Sequence, residues 1–288
     1  MNGQLRVKSH WSQLAIFFGL LSCFLILTVA FSALVQQFTG MAAKPDLNDP
    51  GDLKTMKILQ AISSVTMFAI PTFAFALLIA VKKPFSYLGL VPAEKPKMYL
   101  LAVICIMACL PVVGLLGELN HAFPLPQWMV DLEKDTSKQL MAFLKAENAF
   151  DIIINVIVMA LLPAICEELC FRGALQKIMM GIFKNPWTAI IVTSIIFSTL
   201  HFQFLGFLPR LFLGIILGAL YWYSGSLWTS ILAHFVYNGV QVIGVSFEPK
   251  YIEENPQLPI YYSLVCLLIV VAVMWVIRSE SIVKNHGS

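Results

Sequence analysis

Pro163-Ala164-Ile165-Cys166-Glu167-Glu168-Leu169-Cys170-Phe171-Arg172-Gly173 sets two adjacent carboxylates and an arginine inside a run, Phe150 to Phe183, that is otherwise largely apolar. As one helix that run reaches about 51 Å, more than the ~30 Å hydrocarbon core of a bilayer, so Pro163 is expected to break it or its ends to leave the membrane. Glu168 and Arg172 stand four residues apart and share a helix face. Glu167 is turned away by about 100° and has no local cation. An ionised carboxylate in hydrocarbon costs roughly 2.5–3.5 kcal/mol on insertion scales, and a chain that keeps an unpaired one is expected to use it.

Composition assigns the class. Hydrophobic residues make up 59% and charged residues 12% of the 288, whereas soluble domains carry about 25% charge. Mean hydropathy is +0.81. These values exclude a soluble globule and predict an all-α, polytopic membrane bundle. The net charge of +3 comes from scattered lysines and gives no sign of a nucleic-acid partner. The six cysteines lie in apolar runs without a Cys-x-x-Cys pair, so packing is their expected role. Cys166 and Cys170 bracket the two glutamates, but soft-metal ligation there is the minor reading.

Eight spans are expected: Leu14–Val35, Ile58–Val81 with Pro71 as a kink, Tyr99–Gly117, the Phe150–Phe183 run, Trp187–Leu205, a sixth ending at Tyr223, Leu227–Phe247 and Pro259–Ile277. Residues 118–149 carry too many charges to cross, and Trp128, Met129, Leu132, Leu140, Phe143 and Leu144 recur helically, which predicts a helix lying on the membrane surface. Gly214 and Gly218 form a small-residue pair that permits close helix approach. Residues 1–288 read as a single integral membrane domain, with a core at 150–247 and no internal repeat. An N-terminus-inside topology gives the inner segments the larger share of Lys and Arg, including Arg6, Lys8, Lys82, Lys83, Lys95, Lys97 and Lys284. The outer segments then hold Lys44, Lys134, Lys138 and Lys250, and both termini lie inside.

Polar groups recur in two later spans: His201 closes Phe197-x-x-x-His201, and His234 shares a helix face with Asn238. Counting about 1.5 Å per residue from the inner boundary places Glu167 near 24 Å, His201 near 21 Å, Asn238 near 16 Å and His234 near 10 Å. With helix tilt they can converge in one intramembrane polar cavity. Any one of them alone reads most simply as an interhelical contact. Together, on three spans, they form a functional-site hypothesis, since ionisable groups inside membranes are expensive.

Glu167-Glu168-x-x-x-Arg172, Phe197-x-x-x-His201 and His234-x-x-x-Asn238, in that order, resemble the three motifs of the CPBP family. These are the CAAX protease and bacteriocin-processing membrane proteins, also called Abi, and they include the CAAX prenyl endopeptidases. The resemblance covers about residues 150–245, and the flanks Gln203–Arg210 and Ser226–Trp228 are similar to bacterial members, which implies a bacterial cytoplasmic membrane. It implies an intramembrane endopeptidase acting on membrane-associated peptides or proteins. In that scheme Glu167 and His201 activate a water, His234 and Asn238 stabilise the oxyanion, and Glu168 and Arg172 are structural supports.

No cofactor is expected. The alternative is a zinc enzyme with Glu167, His201 and His234 as ligands. Two features speak against it: no His-Glu-x-x-His stands on one helix, and few acceptors are expected to fix the histidines through their other ring nitrogens. Two other classes are a proton-coupled transporter, disfavoured by the missing repeat, and a non-catalytic immunity or scaffold protein.

Overall fold

The computed structural model describes residues 9–42, 45–80, 82–248 and 258–281. Arg6, Lys8, Lys44, Lys250, Lys284 and the acidic pair Glu253 and Glu254 lie outside the described residues. The chain order is α1 (His10–Thr39), α2 (Pro50–Ile79), a single turn α3 (Pro84–Tyr87), α4 (Lys97–His121), α5 (Gln127–Leu144), α6 (Ala149–Phe183), α7 (Pro186–Thr199), α8 (Phe207–Ser224), α9 (Leu227–Phe247) and α10 (Ile260–Glu280). No strand occurs among the described residues. Seven of these helices are long and apolar enough to cross a membrane; in that count α8 is taken with the single 3-10 turn Phe204–Gly206 that precedes it.

The expected eighth span is the correction. α7 is apolar but stops at Thr199 after 14 residues, about 21 Å of helix, too short for the hydrocarbon core. Its expected continuation to Leu205 is replaced by an irregular segment, Leu200–Gln203, and the 3-10 turn. Phe202 there has φ 53°. Irregular backbone at membrane depth is tolerated where it lines a cavity, and this one does. α4 also runs one turn beyond Gly117, to His121.

Neither proline breaks its helix. A π-helical turn, Val65–Ala69, directly precedes Pro71 in α2, and another, Ile157–Leu161, precedes Pro163 in α6. Proline has no N–H, and its ring presses on the carbonyl four residues back. Here those carbonyls, Met67 and Met159, lie inside the wider π turns, which make room for the ring. α6 therefore runs unbroken for 35 residues. A third π segment, Leu169–Leu175, follows the two glutamates.

Capping residues set the sharp returns. Asn148 and Asn185 accept the free N–H groups that open α6 and α7, Ser226 those of α9, and Lys184 and Gly225 close the preceding helices at positive φ. The apolar side chains form three clusters. The first joins α4, α8, α9 and α10 through Ile106, Leu217, Tyr237 and Val270. The second joins α1, α2, α6, α7 and α9 through Phe17, Phe75, Phe171, Phe197 and Ile231. The third joins α5, α6 and α9. Helix α9 contributes to all three and α6 to two, so groups on their facing sides are held from several directions.

The Gly214–Gly218 pair does specific work. Arg172 Nη2 and Gln176 Nε2, four residues apart on α6, donate to the carbonyls of Gly214 and Gly218, each at 3.1 Å. A Cβ on Gly218 would stand 2.7 Å from Gln176 Oε1 and 3.0 Å from Ile190 Cγ2. Gly218→Leu is expected to cost about 1–3 kcal/mol by overpacking. A lower thermal midpoint in detergent checks this.

Candidate active site

α6 carries Glu167 and Glu168 side by side, about 100° apart around its axis, and the two face different partners. Glu168 and Arg172 are both fully buried and form an ion pair at 2.6 Å, as their spacing predicts. Arg172 also lies over the Phe197 ring, 4.6 Å from its centroid. Glu168 does more than balance a cation. Its Oε1 accepts from His234 Nδ1 at 2.9 Å, and its Oε2 accepts from the Ser230 hydroxyl. Ser230 was not singled out in the sequence, although Ser230, His234 and Asn238 recur every four residues on one face of α9.

Glu167 faces the other way, into a cavity of about 1490 Å³ that Glu167, His201, His234 and Asn238 all line. Its Oε2 is 3.9 Å from His201 Nε2 and 3.9 Å from His234 Nε2. It makes no hydrogen bond to a described residue, nor does the Asn238 amide. His201 and His234 thus stand beside Glu167, and Asn238 lines the same cavity.

The tautomers follow from the partners. His201 Nδ1 lies 2.7 Å from the Phe197 carbonyl, which can only accept, so Nδ1 carries the proton. His234 Nδ1 faces a carboxylate oxygen that already accepts a hydrogen bond from Arg172 and has no proton of its own to give, so Nδ1 donates as well. Both rings then present Nε2 to the cavity. Both also have a fixed acceptor behind the ring, where few are expected from the sequence, so ring orientation does not speak against a metal. Phe197 explains the first residue of its motif: its ring packs edge-on against His201 at 4.7 Å and His234 at 6.1 Å while carrying Arg172 on its face.

Glu118, His121, Glu133, Lys138, Arg210 and Gln241 also line this cavity. α5, expected on the membrane surface, contributes the side chains of Glu133, Lys134 and Lys138 to it. All six cysteines are free thiols, and Cys166 and Cys170 are buried, in keeping with a packing role.

Residues 149–240 match the model of a family described as type II CAAX prenyl endopeptidase Rce1-like, in agreement with the resemblance of the three motifs. The chain is also 35% identical over 98 residues to the "Uncharacterized protein YpbD" of Bacillus subtilis (strain 168). That match takes in 33% of this chain and 47% of the relative, so the chain spans about half the length of the curated relative it matches. No solved structure matches.

Proposed function

Taking the family match over residues 149–240 as premise, we propose that this integral membrane protein is an intramembrane endopeptidase that hydrolyses peptide bonds in membrane-associated peptides or proteins. The observation that carries this reading is the position of Glu167 Oε2, 3.9 Å from both Nε2 atoms. Two hydrogen bonds of about 2.8 Å meeting at roughly a right angle span such a gap, so one water oxygen fits between the carboxylate and either ring.

The chemistry follows from the partners behind each group. The water gives one hydrogen bond to Glu167 and one to His201 Nε2, whose neutral tautomer is held by a neutral carbonyl. As the water oxygen attacks the scissile carbonyl carbon, its proton passes to Glu167. The Asn238 amide and a protonated His234 donate to the resulting oxyanion. Glu168 stands behind His234 as a buried carboxylate that orients the ring and stabilises its charged form. Collapse of the intermediate breaks the C–N bond, and Glu167 returns its proton to the departing amine. The N-terminus-inside topology and a bacterial cytoplasmic membrane remain part of the proposal.

A zinc-dependent version of this reaction is the second reading, favoured by the acceptors behind both histidines. The donor set Glu167, His201 and His234 suits zinc chemically. Ligands about 2.1 Å from a tetrahedral ion stand roughly 3.4 Å apart, so the 3.9 Å separations would have to close by about half an ångström. A bound zinc would polarise the carbonyl and acidify a bound water. Elemental analysis of protein purified without added metal, beside peptide products from proteoliposomes before and after exhaustive chelation, decides between the two. Hydrolysis that survives chelation is the expected result; one zinc per chain, with activity lost on stripping and restored on readdition, selects the second reading. A solute flux carried by the same liposomes without peptide products would instead support the transporter.

A further inference from the structure

His201 does not sit on a helix. It lies just past the end of α7, in the connection Leu200–Gly206, and loops hold a functional side chain less exactly than helices do. A misplacement of about 1 Å can cost roughly 100-fold in rate. The groups that fix this connection are therefore part of how the site works. Three helices reach into it. Asn120 of α4 donates to the Phe204 carbonyl and accepts from Leu208 N–H, both at 2.9 Å. Glu133 of α5 accepts from Leu205 N–H at 2.8 Å. Arg210 of α8 donates through Nη1 to Gln203 Oε1 at 2.7 Å and through Nη2 to the Gln203 carbonyl.

Arg210 acts nearest to His201, gripping the residue two positions on. Between them Phe202 holds φ 53°, a left-handed conformation costly for a bulky side chain. Such a turn persists only if its surroundings hold it. The guanidinium is packed against Gly206, where a Cβ would fall 2.8–2.9 Å from its terminal atoms. Its Nε is buried without a hydrogen-bond partner. A guanidinium spent twice on Gln203 and covered by Gly206 is poorly placed to receive a substrate anion, although Arg210 lines the cavity.

We propose that Arg210 is a positioning residue: with Gln203 it clips the left-handed turn at Phe202 and thereby sets His201 Nε2 against Glu167. This rests on the reading of His201 as a water-holding group of the peptidase. The fork matters as well as the charge, since lysine cannot make two parallel hydrogen bonds to one residue.

The test has two readouts on full-length protein in liposomes. The first is the 15N spectrum of the histidine rings, with His201 and His234 assigned by substitution of each. The second is turnover of a pool of fluorescence-quenched, membrane-partitioning peptides. In the parent protein His201 is expected as the fixed Nδ1–H tautomer. Arg210→Ala and Arg210→Lys are expected to average that signal, leave the His234 signal in place and lower kcat about 10- to 100-fold with KM nearly unchanged. Gln203→Leu keeps the backbone acceptor and should have a smaller effect of the same kind, whereas Gln203→Glu retains both acceptors and should behave as the parent. Where Arg210→Ala does not fold, Arg210→Lys and Gln203→Leu carry the comparison. An unchanged His201 signal with parental kcat in those variants overturns the clip. Failure of the parent protein to turn over any peptide of the pool overturns the peptidase reading instead, and the 15N readout then judges the clip alone.

Discussion

Glu167→Gln is expected to remove peptide hydrolysis while the protein accumulates and melts like the parent. The substitution keeps the shape of the side chain and takes away its ability to accept a proton. Glu167 makes no hydrogen bond to a described residue, and its nearest polar atoms, the two Nε2 nitrogens, are 3.9 Å off. Little of the fold therefore depends on its charge. A positioned general base contributes about 10²–10⁴-fold, so turnover should fall by at least that range. The check is quantitation of peptide products from matched proteoliposomes beside the thermal midpoint in detergent. Parental turnover in a well-folded Glu167→Gln protein would sink the assignment. A lowered midpoint with turnover per folded molecule intact would make Glu167 structural, and the non-catalytic scaffold reading would gain.

The division between the two glutamates was legible in the sequence because helical spacing alone decides it: four residues bring Glu168 to Arg172, and one residue takes Glu167 to another face. The convergence of His201, His234 and Asn238 on Glu167 was legible only as a depth argument, good to several ångströms. What the spacing did not reveal has physical reasons. The sequence places His201 on a helix because Trp187 to Leu205 holds no Gly, Pro, Asp, Glu, Lys or Arg to mark an end; the groups that hold the irregular connection, Asn120, Glu133 and Arg210, lie far away in the chain or on another helix. The break expected at Pro163 does not occur, because a π turn, which leaves no compositional mark, precedes the proline and lets the helix continue; a π turn also precedes Pro71, where a kink is expected. Glu168 was assigned to Arg172 alone because its bonds to Ser230 and His234 cross between α6 and α9. The bond from His234 also supplies that ring with the acceptor the sequence leads one not to expect, and His201 has its own in the Phe197 carbonyl.

The same cross-helix bonds give Glu168→Gln a different expected outcome from Glu167→Gln: loss of folded protein first, and loss of activity in whatever folds. Glu168 and Arg172 have no exposed surface. Removing one partner of such a pair strands the other, at about 3–5 kcal/mol, which is a large part of the ~5–15 kcal/mol that holds a typical domain together. Glu168→Gln still offers a carbonyl to Arg172, but the guanidinium charge stays buried without its counter-ion. Glu168→Gln combined with Arg172→Met removes that charge and fills its space with an apolar chain, and should recover much of the yield and thermal midpoint. It should not recover turnover. His234 Nδ1, now 2.9 Å from a carboxylate oxygen, would face a neutral amide, and the protonated ring that serves the oxyanion would lose its stabilising charge. A double variant that regains both stability and parental turnover would show that Glu168 serves the fold alone. A Glu168→Gln protein that accumulates and melts like the parent would mean that the buried pair is not what holds α6 against α8 and α9.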